Sequence, residues 1–404
     1  MPGRIQPQKS SGDETQELHV SGRRFLMKVD GSVDWTIFDG KLKILFLGAL
    51  ILTIISARAA DWPMIGGDAG HTFHSTHSVP ANPVKLWEIK LGGGVYGSPV
   101  ASGKAVYVAG HDQRLWALDK ERGRVLWNYA AGSAISATPV IAGETIAVAS
   151  KDGTVTALNT KTGKQKWQIR TGGKILSSPV VDDDTLYLGS NDLFLYALDF
   201  ANGKILWRYY AEDYRYGGLY ASPGLDKERV YIGAKNGVFH AIWRHSGKPA
   251  WRTELGSAIY DAPLVAGDTI YLGAYDRRVY ALDASTGAIV WRTELEDWPQ
   301  GTPLLMDGIL YIGSHNGTLY GLKAADGAVV WQTSLGSELR HGFTVGANRI
   351  GVIGTMSGRL YAMDLDTRKI VWEKNIGSAV FGAPMLADNT LFVATQEGGV
   401  SAWR

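Results

Sequence analysis

His111, His315 and His341 are the first side chains to weigh for chemistry, since imidazole is a common metal ligand. They come from separate stretches of the chain, with no carboxylate at short regular spacing and no His-x-x-His or Asp-x-Asp-x-Asp run. Read that way they are solvated histidines rather than a metal set. Ser98, Ser178 and Ser222 each stand immediately before Pro. A serine that recurs in this manner serves the fold, whereas a nucleophile needs one strained elbow. The 404 residues contain no Cys. That removes thiolate nucleophiles, zinc–thiolate sites and disulfide stabilisation. Any site must therefore come from side chains that break a repeat.

The repeat is marked by tryptophan. Trp87, Trp127, Trp167, Trp207, Trp251, Trp291, Trp331, Trp372 and Trp403 follow one another at intervals of 40, 40, 40, 44, 40, 40, 41 and 31. A period near forty signals a repeat architecture. In the unit 95–127, four short strand-like runs are bounded by turn residues: Ser98–Ala101, Ala105–Ala109, Leu115–Leu118 and Val125–Tyr129. No helical period is present, so each unit reads as a four-stranded antiparallel meander. A Gly lies four residues before the Trp at 123, 163, 203, 247, 287 and 327. Glycine takes positive φ without steric cost, as a tight turn requires. Arg368 departs from the series, which predicts a looser turn there. Asp152-Gly153, Asn236-Gly237 and Asn316-Gly317 mark hairpins between the second and third strands, and Gln113, Leu193 and Arg277 depart from that pattern. The repeated Trp is expected to wedge neighbouring sheets apart from water, a burial worth roughly 2–3 kcal/mol each.

Four-stranded units packed radially make a β-propeller. The last unit, ending at Arg404, has three strands, while 83–90 is a fourth strand with no blade before it. Joining them closes eight blades and removes exposed edges. The expectation is an all-β, eight-bladed propeller of four-stranded antiparallel blades over 83–404, its last blade closed by an N-terminal strand. Residues 60–82 form a lead-in, 44–59 an export signal and 1–43 a polar extension.

Loops from the fourth strand to the next first strand share one face with the second-to-third hairpins. On that face the repeats diverge, so function is sought there. Three residues before the repeated Pro the chain reads Tyr96, Ser136, Leu176, Tyr220, Tyr260 and Gln300, with His341 and Phe381 aligned behind. The first hairpin position reads His111, Lys151, Asn191, Lys235, Tyr275, His315, Met356 and Gln396. One loop, 211–220, is longer than its equivalents and carries Asp213, Tyr214, Arg215 and Tyr216. Tyr and Arg are enriched at binding hot spots. Asp261, Arg277, Trp298 and Arg340 decorate the same side. Together these describe a partner or ligand surface, or else a solvated rim whose charges pair with one another.

The pattern Ser-Pro-Val, Val-Tyr-Val-Ala-Gly, Leu-Trp-Ala-Leu-Asp and Gly-x-x-x-Trp resembles the PQQ-like repeat of eight-bladed propellers. Asp61-Trp62-Pro63-Met64-Ile65-Gly66-Gly67-Asp68-Ala69-Gly70-His71 is similar to the stretch before their first blade. The resemblance covers 61–404, and in blade number, repeat pattern and length after signal removal the chain resembles the BamB family of outer-membrane assembly factors. This resemblance implies a non-enzymatic scaffold that binds partner proteins in the cell envelope and helps β-barrel proteins insert. The lipid-bearing Cys of that family is absent here. The same repeat occurs in quinoprotein dehydrogenases, which hold PQQ with calcium or a lanthanide between a Trp and a disulfide of adjacent Cys residues. This chain lacks the Cys pair, the long insertions and a Glu-Asn-Asp metal set, so no cofactor is expected. Glycans or another small ligand in the aromatic mouth remain a third reading.

At the N-terminus, Lys41-Leu42-Lys43 precedes an apolar run from Ile44 to Ile55, then Ser56-Ala57-Arg58-Ala59-Ala60. This reads as a signal peptide cleaved after Ala59, which leads to a periplasmic or secreted monomer. The alternative is an uncleaved inner-membrane anchor. Residues 1–40 are polar and unpatterned, consistent with disorder or a start at Met27. Arg23-Arg24 superficially matches a twin-arginine signal, but Asp30, Asp34 and Asp39 separate it from the apolar run. Lys and Arg number 41 against 39 Asp and Glu, mixed along the chain. No concentrated basic patch suggests nucleic acid.

Overall fold

In each repeat the chain reverses three times over about forty residues, and alternation buries the inner strands on both faces. A computed structural model describes residues 15–20, 23–28, 33–34, 62–211 and 218–404. Two compact units divide at Arg58 and Ala59. In the first, Thr15–Val20, Arg23–Lys28 and Val33–Asp34 pair as an antiparallel sheet, where the sequence showed no pattern. The signal-peptide and cleavage-site expectation lies outside the described residues, as do residues 212–217 of the long loop. Among the described residues, no helix is long and apolar enough to cross a membrane.

The second unit is the eight-bladed propeller. Blade 1 contains Val100–Ser102, Ala105–Ala109, Arg114–Asp119 and Val125–Ala130. Blades 2 to 7 repeat the meander over 140–170, 180–210, 224–254, 264–294, 299–334 and 344–375. Blade 8 joins Met385–Ala387, Thr390–Ala394 and Gly399–Trp403 to Lys85–Lys90, so the predicted closure is realised. In blade 1 the second strand is wholly buried while the outermost alternates, the pattern of a sheet packed inside and wet outside.

Three details differ from the sequence expectation. The first strand begins at Val100 rather than Ser98. Pro99 has no N–H to give, and the Ser98 N–H turns to Thr138 Oγ1 of the next blade at 2.9 Å. The turn at Arg368 is not looser: Arg368 takes φ 59° and donates to Asp364 O at 2.7 Å, matching Gly123 at φ 67° on Asp119 O at 2.9 Å. Gln113, Leu193 and Arg277 likewise adopt φ of 66°, 73° and 67°. Their hairpins carry three-residue loops with a single left-handed position, as Gly110 N–H to Arg114 O at 3.0 Å shows for the first. As the sequence placed them, Trp403 lies on the third strand of blade 8, and Trp87 opposite Ala402 fills the repeated position on the fourth.

The lead-in does more than precede blade 1. Trp62 bridges Ala101 of blade 1, and the carbonyls of Pro63, Ala69, Gly70 and Phe73 accept from Ile141, Leu225, Val265 and Val345 of blades 2, 4, 5 and 7. His74 reaches Leu305 O and Ser75 reaches Leu386 O in blades 6 and 8. One segment therefore laces seven innermost strands and closes the axial channel opposite the hairpin face.

Candidate functional site

The innermost strands leave an axial funnel of about 490 Å³, open on the hairpin face and floored by Ile65 of the lead-in. All eight blades line it. The residues three before the repeated Pro form its upper ring, because the chain turns there from the loop into the innermost strand. Below them runs a ring of hydroxyls. Thr138 Oγ1 accepts the Ser98 N–H, Ser178 Oγ the Thr138 N–H and Ser222 Oγ the Ser178 N–H, each at 2.9 Å. The repeated Ser is thus an inter-blade clasp, in keeping with a fold residue.

Eight of the anticipated residues line the funnel: Tyr96, Tyr220, Tyr260, Asp261, Tyr275, Arg340, His341 and Phe381. Aromatic rings form two arcs. Tyr220 meets Tyr260 edge-on at 5.7 Å, Tyr260 meets Tyr275 at 4.6 Å, and Tyr275 stacks on Trp298 at 5.1 Å. Across the mouth, Tyr96 stacks on His111 at 4.1 Å and abuts Phe381 at 5.2 Å, which in turn contacts His341 at 5.3 Å. Trp298 backs the wall without lining it. Arg277 is not part of the mouth: it is exposed and paired with Glu294 at 2.7 Å. Asp213, Tyr214, Arg215 and Tyr216 lie outside the described residues.

Electrostatics concentrate on blades 5 to 7. Asp261 accepts from the Gly301 backbone N–H and feels Arg340, yet loss of solvent pushes its carboxyl up to about 6. Desolvation, helped by Arg340, lowers His341 to about 4. Burial and the Asp261 charge raise Tyr275. Arg340 itself is held by Glu338 at 2.5 Å. Across the funnel, His111 bonds Ser136 Oγ at 2.7 Å and is lowered by burial and by Lys151.

The three histidines do not converge. His111 belongs to the Tyr96 stack, His341 faces the funnel, and His315 is pinned between Asp297 at 3.1 Å and Glu338 at 3.5 Å. Among the described residues no three His, Cys, Asp or Glu side chains cluster as a metal site. A quinone held with a calcium or lanthanide ion needs several oxygen ligands. The funnel offers one lining carboxylate, Asp261, and the chain has no Cys. The residues present do not fit that pair.

Sequence reasoning overlooked the floor, because Ile65 lies outside the repeat. It also left Lys151 and Gln300 out of the candidate set, although both occupy the divergent positions that mark the mouth.

Solved structures share the architecture. BamB from Moraxella catarrhalis aligns with a TM-score of 0.68 at 19% identity, over 80% of this chain and 100% of its own. A europium-containing methanol dehydrogenase aligns at 0.73 with 14% identity, over 85% and 98%. Quinohemoprotein alcohol dehydrogenase from Comamonas testosteroni gives 0.73 with 16% identity, over 87% and 82%. At these identities the likeness is one of fold, which hosts unrelated functions. No protein of curated function matches the sequence. A family model described as outer membrane protein assembly factor BamB matches 84–137, 130–216, 216–340 and 315–403, which together run through all eight blades. The chain belongs to the family of outer membrane protein assembly factor BamB.

Proposed function

We propose that this protein is an exported scaffold that binds a protein partner in the cell envelope through the hairpin face of its propeller and catalyses no reaction. The observation that carries the reading is the one-sided build of the molecule. The lead-in seals one end of the axis, while every divergent aromatic and charged residue of the mouth sits at the other. Tyr, Trp and Arg on a rigid platform are the usual anchors of a protein interface. Trp298, 38% exposed at the rim, is such an anchor. Family membership supports an envelope location, and the export signal read at 44–59 agrees with it.

Photocrosslinking in the native envelope tests this. A photoreactive residue replacing Trp298 or Arg277 should give one discrete adduct, and one replacing Lys104 in a turn on the opposite face should give none. Equal labelling from both faces would sink the reading. A quinoprotein role is tested separately by calorimetric titration of the full chain with PQQ, with and without calcium or a lanthanide. Saturable one-to-one binding would overturn the non-enzymatic assignment.

A further inference from the structure

The funnel carries chemistry that a flat partner-binding face does not require. Its volume of about 490 Å³ falls within the range of small-molecule sites. It is a dead end, since Ile65 closes the floor. Gln300 lines it and is only 3% exposed, yet its Oε1 has no hydrogen-bond partner among the described residues. A buried acceptor left unmatched costs stability, so it points to a donor that arrives from outside. The hydroxyls of Thr138, Ser178 and Ser222 each accept a backbone N–H and retain their own proton to donate. Acceptors and donors therefore face one space together.

The ligand class follows by elimination. A cation would meet Lys151 and Arg340 on the walls and Lys235 already placed 5.8 Å over the Tyr220 ring. An anion would meet Asp261, and it would find Arg340 already held by Glu338. A purely apolar ligand would strand Gln300 Oε1 and the hydroxyl ring. A neutral molecule bearing many hydroxyls both gives and takes hydrogen bonds, and its C–H faces pack on aromatic rings. The Tyr260 and Tyr275 rings are fixed in place by mutual edge contact and by the Trp298 stack, so little side-chain freedom is lost on binding.

We propose that the funnel is a binding site for a neutral polyhydroxylated ligand, a sugar of one or two rings, packed on Tyr260 and Tyr275 and hydrogen-bonded by Asp261, Gln300 and the hydroxyl ring. The site is independent of the partner-binding reading, because it uses the interior of the mouth rather than its rim. The test is calorimetric titration of the full chain with glucose, galactose, N-acetylglucosamine, maltose and trehalose, beside choline and glutamate as charged controls. At least one sugar should saturate one site, and neither control should. Tyr260→Ala and Gln300→Leu should each weaken that sugar about tenfold or more. Asp261→Asn keeps the shape of the site and should weaken it less, which guards against a variant that merely misfolds. Arg277→Ala, outside the funnel, should leave it unchanged. Trp298→Phe should remove any sugar-induced fluorescence change while calorimetric binding persists. Saturation by choline or glutamate alone, or by none of the seven probes, overturns the proposal. Loss of envelope crosslinks with sugar binding intact would reject the partner reading and leave this one standing.

Discussion

The outer belt of the propeller and its inner mouth are built from the same blades under opposite rules. Outside, one contact is repeated. The indole N–H of Trp87, Trp127, Trp167, Trp251 and Trp291 donates to the carbonyl of a residue 33 positions on, in the next blade, at 2.8–3.0 Å. The ring lies on the turn glycine of that blade: a Cβ on Gly123, Gly163, Gly203, Gly247, Gly287 or Gly327 would come within 2.3–2.7 Å of a Trp ring atom. Inside, Tyr, Ser, Leu, Gln, His and Phe occupy one equivalent position. Repetition carries stability where blades meet, and divergence is confined to where a ligand or partner can reach.

Three outer junctions depart from this rule: Trp207 donates to Arg244 O, 37 positions on, Trp372 donates to Pro80 O of the lead-in, and the third shows what the glycine does. Between blades 6 and 7, Arg368 replaces the turn glycine. Trp331 then cannot lie flat on that turn, and its buried Nε1 has no acceptor among the described residues. The ring leans inward instead, over Gly321, where a Cβ would lie 2.2 Å from Trp331 Nε1. Every other blade has Ala opposite its Trp, as Ala281 faces Trp291. Arg368 and Gly321 are a matched pair of departures.

The sharpest way to break the comparison is at the closing strand, which supplies Trp87 to the belt. Deleting 83–90 exposes the edge of blade 8 and should abolish the folded monomer, seen as aggregation or oligomers by light scattering. A monomer that melts at the wild-type temperature would overturn closure as a source of stability. Next in size is Gly327→Arg, which copies the exceptional turn into a regular junction. Its Cβ would collide with Trp291 while blade 5 keeps Ala281, so a loss of about 3 kcal/mol is expected in urea unfolding. The exceptional junction should respond as a pair. Gly321→Ala alone should cost about 1–2 kcal/mol, and adding Arg368→Gly should recover most of it, because the ring regains its usual seat. Additive effects in that double-mutant cycle would mean the two departures are unrelated.

Most of the belt was legible in the sequence, because a Trp and a Gly four residues apart state both the strand and the turn. Arg368 was legible as an exception but its consequence was not. Positive φ is reachable by Arg at a cost, so the turn kept its form and the strain passed to Trp331, in the neighbouring blade. The mouth was legible as a set of divergent positions. Its floor was not, since the lead-in owes its path to backbone hydrogen bonds with five blades and to the His74 and Ser75 side chains on two more, none of which follows the repeat. Arg277 was misplaced for a related reason: it stands at the left-handed corner of its hairpin, φ 67°, and its side chain reaches Glu294 of the outermost strand rather than the mouth.

The smallest expected effect belongs to the mouth, where two opposed titrations overlap. Asp261 rises from 3.8 to about 6 on folding, so between those values the folded chain holds a proton that the unfolded chain has released. Stability from this group is present below pH 4 and is lost as pH rises through 6. His341 falls from 6.5 to about 4, so the unfolded chain binds the extra proton. Its contribution is present above pH 6.5 and is lost as pH falls through 4. Each term is at most about 3 kcal/mol and is reduced by water in the funnel. They have opposite slopes over one window, so the wild-type urea midpoint should be nearly flat between pH 4 and 6. Asp261→Asn should leave a midpoint that climbs with pH, and His341→Phe one that declines. Parallel shifts in both variants would place the titrating groups elsewhere, and the mouth would then be as neutral to stability as its lack of repetition suggests.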